Sequence, residues 1–227
     1  TSRRVMAVLR PLKLIVENWP EGTSEDLQAV NNPEDESAGT RIIRFGKELW
    51  IERDDFEENP PPKYFRLFPG NAVRLRYGYV VTCTGCDKDS AGNVTTVRCR
   101  YDPATKGGNA PDNRKIKGTI HWLNAAEAIP LEARVYDYLF AVDKPMEAPV
   151  KADGRAGSFL DNLNPGSLER IAGAYGEPCL GTATPGDRFQ FERLGYFARD
   201  PDHVEGKPVF NKTVGLRDTW ARIVKKA

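Results

Sequence analysis

Ten short runs rich in apolar residues, each cut off by Gly, Pro, Asn or Asp, constrain this chain more than anything else in it. They read RVMAVL, KLIVEN, RIIRFG, ELWIER, AVRLRYGYVV, VTTVRCRY, KGTIHWL, LEARVYDYLF, RFQFERLGYF and KPVFNKTVGL. Short β-rich runs separated by turn formers at this spacing predict an all-β fold of barrels or sandwiches. Long amphipathic helices are absent, and only short ones fit near Arg53–Glu58 and Gly157–Leu163. Three stretches read as irregular: acidic Asn18–Thr40, polar Asp102–Asn113 and the apolar-poor insertion Lys144–Gly157. The division that follows puts 19–118 in one barrel and pairs 1–18 with 119–227 in a second, discontinuous one.

A chain of 227 residues can bury a core of its own and fits one large or two small domains. No apolar run approaches membrane-spanning length, and Thr1 to Arg4 leads straight into a strand-like run rather than a signal peptide. The sequence opens without Met and is therefore expected to be a piece of something longer. Net charge is +1, which argues against a general nucleic-acid glue, but the average hides segregation. Residues 21–60 hold twelve acids against four bases, and residues 63–118 hold eleven bases against four acids. Such segregation permits a local phosphate-binding surface on a nearly neutral protein, and it also suits adjacent solvated faces.

Cys83 and Cys86 form one CxxC, with no second CxxC and no nearby His to complete a zinc site. The stretch YGYVVTCTGCDKDSAGNVTTVRCRYD reads as a hairpin turning near Ala91–Asn93. That pairing sets Cys83 opposite Cys99 and, in a regular strand, sends Cys86 to the other face. Free thiols are expected, as in a reducing cytosol.

In GDRFQFERLGYF, Arg188, Gln190 and Glu192 alternate with Phe189 and Phe191, so two buried rings fix the direction of the Gln190 amide. Leu194 and Gly195 break the alternation, which suits a bulge that re-aims Arg193. An amide and a guanidinium on a rigid strand can read base edges, although a barrel strand with solvated polar residues has the same pattern. Arg74 and Arg76 share a strand face, after a segment interleaving Lys63, Tyr64, Phe65, Arg66 and Phe68. Unstacked bases need flat partners, cations and fixed donors, and these residue types supply them. Sugar binding is the competing reading, since Trp19, Trp50, Trp122 and Trp220 could stack on pyranose rings. His121 reads as structural, and no sequence neighbour gives His203 a nucleophile. No phosphate loop, dinucleotide fingerprint or metal-spaced His pair occurs, so the chain's own residues do not describe an enzyme.

The order and spacing of RRVMAV, KLIVEN, ELWIERDDF, YFRLFPGNAVRLRYGYVV, KGTIHW, FQFERLGYF and KPVFNKTVGLRDTW resemble the C-terminal anticodon-binding region of the glutaminyl-tRNA synthetases, over essentially the whole chain. The glutamyl enzymes share the region, a 5S-rRNA-binding ribosomal protein has a similar single barrel, and the last two motifs favour the glutaminyl family. The resemblance implies two β-barrels stacked end to end, few short helices, and an anticodon loop splayed into separate pockets. It implies that Gln190 and Arg4 meet the middle U with Arg193 beside them, and that Arg66 meets the final G. Arg74 and Arg76 would hold the first base and nearby phosphates, and Pro33 would shape the loop over that site. Lys63 stands where the family has a neutral residue, Phe65 where a lysine is common, and Glu34 where a neutral amide is usual. The HIGH-like and KMSKS-like catalytic signatures are absent from the 227 residues. The resemblance therefore implies a separate N-terminal catalytic domain as partner, ATP and Mg used only there, and no activity or cofactor in this piece. It further implies glutamine tRNA as the RNA partner, a monomer, and a cytoplasmic, membrane-free location.

Overall fold

The computed structural model describes residues 2–108, 112, 114–147, 156–204 and 207–216. Sixteen strands lie among the described residues. The first six are β1 (Arg3–Val5), β2 (Ala7–Val8), β3 (Pro11–Val16), β4 (Ser24–Val30), β5 (Thr40–Gly46) and β6 (Glu48–Glu52). Next come β7 (Ala72–Leu75), β8 (Val80–Lys88), β9 (Val94–Asp102), β10 (Thr119–Ile120) and β11 (Leu123–Asn124). The last five are β12 (Ile129–Tyr136), β13 (Leu168–Gly176), β14 (Arg188–Phe191), β15 (Gly195–Val204) and β16 (Lys207–Gly215). Helical structure among the described residues is limited to short 3-10 turns, including Arg53–Asp55 and Phe159–Asn162 where short helices were expected.

The strands form two seven-stranded sheets and one hairpin. One sheet runs β1-β14-β15-β16-β12-β13-β2, and the other runs β10-β7-β8-β9-β3-β6-β11. In the first, the two outermost strands are β1 and β2, which are separated in the chain by Met6 alone. One residue thus ties the two edges together and curls the sheet into a barrel. The second sheet repeats the device, since β10 and β11 occupy its opposite edges and only His121 and Trp122 lie between them. The β4–β5 hairpin covers this second barrel, and its Leu27, Ala29, Ile43 and Phe45 join the core of Leu14, Leu49, Val73 and Trp122. A separate core of Val5, Leu131, Phe189, Phe191, Phe197 and Phe210 fills the first barrel.

The two-barrel, all-β architecture is the one expected, but strand membership moves the boundaries. Pro11–Val16 and Thr119–Asn124 both pair within the second barrel, not with the strands of the first. The chain therefore passes between barrels near Leu9–Arg10 and again near Ala125–Ala128. Hydrogen-bonding register decides this, and register is invisible in a linear pattern of apolar residues.

Several local expectations change for similar reasons. AVRLRYGYVV is two antiparallel strands folded at Arg76–Tyr79, where Tyr77 takes φ 65°. The acidic stretch expected to be irregular contains β4, whose Leu27 and Ala29 alternate with exposed polar residues. Cys83 does stand opposite Cys99, yet Cys86 returns to the same face. Thr84 is an extra residue there, so Gly85 opposes Arg98 and Cys86 opposes core residue Val97. The anticipated bulge after Phe191 is instead a hairpin turn, Glu192–Leu194, that returns the chain with Phe191 opposite Gly195. Most of the Lys144–Gly157 insertion and Arg217–Ala227 of the tail fall outside the described residues.

Candidate nucleic-acid interface

The turn Glu192–Leu194 carries the first barrel's polar groups onto the second barrel. Arg193 adopts φ 66° at its apex, a left-handed conformation that swings the side chain off the strand line. Its guanidinium forks onto Asp55, with Nη1 2.6 Å from Oδ2 and Nη2 2.7 Å from Oδ1. Asp55 is 1% exposed and sits in the 3-10 turn after β6. Arg66 approaches the same carboxylate, its Nε 3.4 Å from Oδ1, while its Nη1 donates to the Asp54 carbonyl at 2.9 Å. One buried carboxylate thus aligns two guanidiniums, and the cluster keeps a net positive charge at its surface.

Glu192 does the same for the next pair. Tyr77 donates its hydroxyl to Glu192 Oε1 at 2.9 Å, and Arg76 Nε lies 3.6 Å from the same oxygen. The Arg76 guanidinium also rests 4.8 Å from the centre of the Tyr77 ring. Burial, reinforced by the Glu192 charge, pushes the Tyr77 phenol up, so it remains a donor at neutral pH. His121, at the seam of the second barrel, completes the contact with Nδ1 3.3 Å from Arg193 Nη1. Its Nε2 makes no hydrogen bond among the described residues and faces Glu52 Oε1 at 3.6 Å.

Farther along β14, Gln190 lies directly opposite Arg4 of β1, and Arg4 Nε donates to Gln190 Oε1 at 3.2 Å. Phe189 and Phe191 are buried on either side, as the alternation predicts, and Gln190 is half-buried between them. The Pro33 loop is held beside this pair because the Arg4 amide donates to the Asn31 carbonyl at 2.8 Å. Asp55 and Glu192 thus gather Arg193, Arg66, Arg76 and Tyr77 where the two barrels meet, while Arg4 and Gln190 pair on the first barrel, on the strand that leads into the Glu192–Leu194 turn.

Two sequence-selected residues stand differently. Lys63 is exposed on the turn before Tyr64, with φ 68°. Arg74 is turned away from the cluster, donating to the carbonyls of Thr105 at 3.1 Å and of Gly108. It braces the loop after β9, a partner that lies 31 residues away and leaves no mark in AVRLRYGY. Phe65 is 46% exposed, and the Lys117 ammonium lies 5.2 Å from the centre of its ring. Sequence reading missed Asp55, Tyr77 and the buried contact of His121. Only Glu192 had a signal, through its place in the alternation with Gln190.

The sugar-stacking alternative loses its platform. Trp19 and Trp122 are core residues, 7% and 1% exposed, and Trp50 stacks on Tyr175 at 5.3 Å. Trp220 and the His203 side chain lie outside the described residues.

Residues 2–102 and 119–200 match two family models, each described as the anti-codon binding domain of class I (E and Q) tRNA synthetases. The chain belongs to that family. Proteins named glutamine–tRNA ligase align with this anticodon-binding region over nearly its full length. One from Nitrobacter hamburgensis is 58% identical over 223 residues, covering 98% of this chain and 38% of that protein. Another from Bradyrhizobium diazoefficiens is 54% identical over 226 residues, with 100% and 39% covered. A third, from Rhodopirellula baltica, is 53% identical over 223 residues, with 98% and 36% covered. The anticodon-binding region thus spans about two fifths of the length of these relatives.

Proposed function

We propose that this chain reads the anticodon of glutamine tRNA as the anticodon-binding portion of a glutamine–tRNA ligase. The Arg4–Gln190 pair, on the strand that leads into the turn bearing the Arg193–Asp55–Arg66 cluster, is the observation that carries the reading. With its carbonyl held by Arg4, the Gln190 amide presents N–H donors outward. Uracil offers carbonyl acceptors on its edge, so the middle U suits that amide. The final G has two acceptors within reach of a forked guanidinium, which suits Arg66. Arg76 would serve the first base and adjoining phosphates, Lys63 the backbone, and Arg193 the alignment of the whole. Pro33 would shape the loop beside Arg4, and Arg74 would act by bracing the Thr105–Gly108 segment.

Attachment of glutamine with ATP and Mg would belong to the catalytic portion of the longer protein, leaving this region inactive alone. Among the described residues, no group of three or more His, Cys, Asp or Glu is placed to hold a metal ion. None of the described helices is long and apolar enough to cross a membrane. The reading includes a cytoplasmic monomer, with 11–124 as one folding unit and 1–10 plus 125–227 as the other. The glutaminyl rather than glutamyl assignment rests on the names of the relatives.

The test is titration of anticodon stem-loops that differ only in the middle base. The parent should prefer U, and Gln190→Ala should remove about 1–3 kcal/mol of that preference. Equal binding of all four middle bases by the parent would refute the assignment.

A further inference from the structure

Strand register builds a row of side chains beyond the residues assigned so far. Arg4 is opposite Gln190, Gln190 is opposite Tyr196, and Tyr196 is opposite Val214. Directly opposed residues share a sheet face. Phe189, Phe191 and Phe197, which alternate with this row, fill the barrel core. The row therefore faces outward across four adjacent strands. Neighbouring strands lie about 4.8 Å apart, so a guanidinium, an amide and a phenol ring fall within roughly 10 Å, the span of one nucleotide.

Tyr196 is 36% exposed and lies on strand rather than loop. Its backbone is pinned from β16, where the Thr213 hydroxyl donates to the Tyr196 carbonyl at 3.1 Å. Gly195 allows this close approach, because a Cβ there would stand 2.5 Å from the Val214 carbonyl oxygen. Among the described residues, no ring or cation stacks on Tyr196. Arg4 and Gln190, bonded to each other, can satisfy the edge of an extruded base, and in that use its face is left to a further partner. A base taken out of its stack needs a flat partner as well as edge contacts.

We propose that Tyr196 is a further RNA-binding residue, its ring stacking on the base whose edge Arg4 and Gln190 read. This rests on the reading of the Arg4–Gln190 pair given above. The stack supplies affinity common to all bases, and the amide supplies the choice among them.

The experiment uses the full 227-residue chain and two anticodon stem-loops, one with C-U-G and one abasic at the middle position. Tyr196→Ala should weaken binding of the C-U-G loop roughly 5- to 150-fold, Tyr196→Phe should stay within about 2-fold of the parent, and neither should affect the abasic loop. Should Tyr196→Ala fail to fold, Tyr196→Leu keeps the bulk without an aromatic face and should show the same loss. Unchanged binding of the C-U-G loop, or an equal loss on both loops, overturns the stacking role. A parent that prefers middle U and loses that preference in Gln190→Ala, yet is indifferent to Tyr196→Ala, overturns only this inference. A parent indifferent to the middle base overturns the underlying reading as well.

Discussion

Asp55 and Glu177 are both buried carboxylates that bind arginine, yet removing their partnerships should have different consequences. Asp55→Ala strips the carboxylate from Arg193, whose side chain is 31% exposed and can turn to water. The expected loss of stability is therefore about 1–3 kcal/mol, the range for hydrogen bonds to charged groups. Arg66 and Arg193 should lose their alignment together. Urea denaturation gives the first quantity, and stem-loop titration should show weaker G preference at the third position. No property of ERDDFEEN distinguishes Asp55 from its acidic neighbours, which explains why sequence reading passed over it. The inward phenyl rings at 189 and 191 were legible because alternation is a local pattern. Arg74 and Arg76 carry the same local pattern, and only distant partners separate the brace from the cluster member.

At the level of strands, the β5 hairpin is fastened to the first barrel by Arg41. Its Nε donates to Glu177 Oε2 at 2.5 Å and its Nη2 to Oε1 at 2.6 Å, with both side chains almost wholly buried. Glu177 Oε1 also accepts the Met6 amide at 2.7 Å, satisfying the one residue that joins β1 to β2. Arg41→Ala would leave that carboxylate buried without its cation, so a loss of about 3–5 kcal/mol is expected in denaturant unfolding. Gly118→Ala tests a different constraint, since the new Cβ would lie 2.0 Å from the Phe65 carbonyl oxygen. Backbone must move to admit it, and a cost of about 1–3 kcal/mol is expected, read as a lowered unfolding midpoint. Strand existence was largely legible from turn spacing. The weakly alternating β4 and β13 were not, because their polarity masks the buried residues that pairing selects.

For the molecule as a whole, the segregated charge noted in the sequence is partly cancelled within one barrel. Lys106 pairs with Glu25 and Lys88 with Glu58, so acidic and basic segments meet across strands. Exposed pairs of this kind contribute little to stability, but they reduce the free cations available for phosphate. The Arg76 contact should count correspondingly more. Replacing it with alanine should reduce the slope of log affinity against log salt by about one unit while weakening several RNAs alike. An unchanged slope in a salt series would remove Arg76 from the phosphate contacts. That two barrels exist was readable from the sequence, whereas their division was not, because a strand's allegiance is decided by long-range pairing.

Because the polypeptide runs from one barrel to the other twice, neither half hangs from a single tether. A protease cut at either crossing still leaves the two barrels joined covalently through the other, and a twist applied at one half must be felt at two anchor points. Such double suspension resists hinge motion, and it favours transmission of a rigid displacement from one barrel to the other.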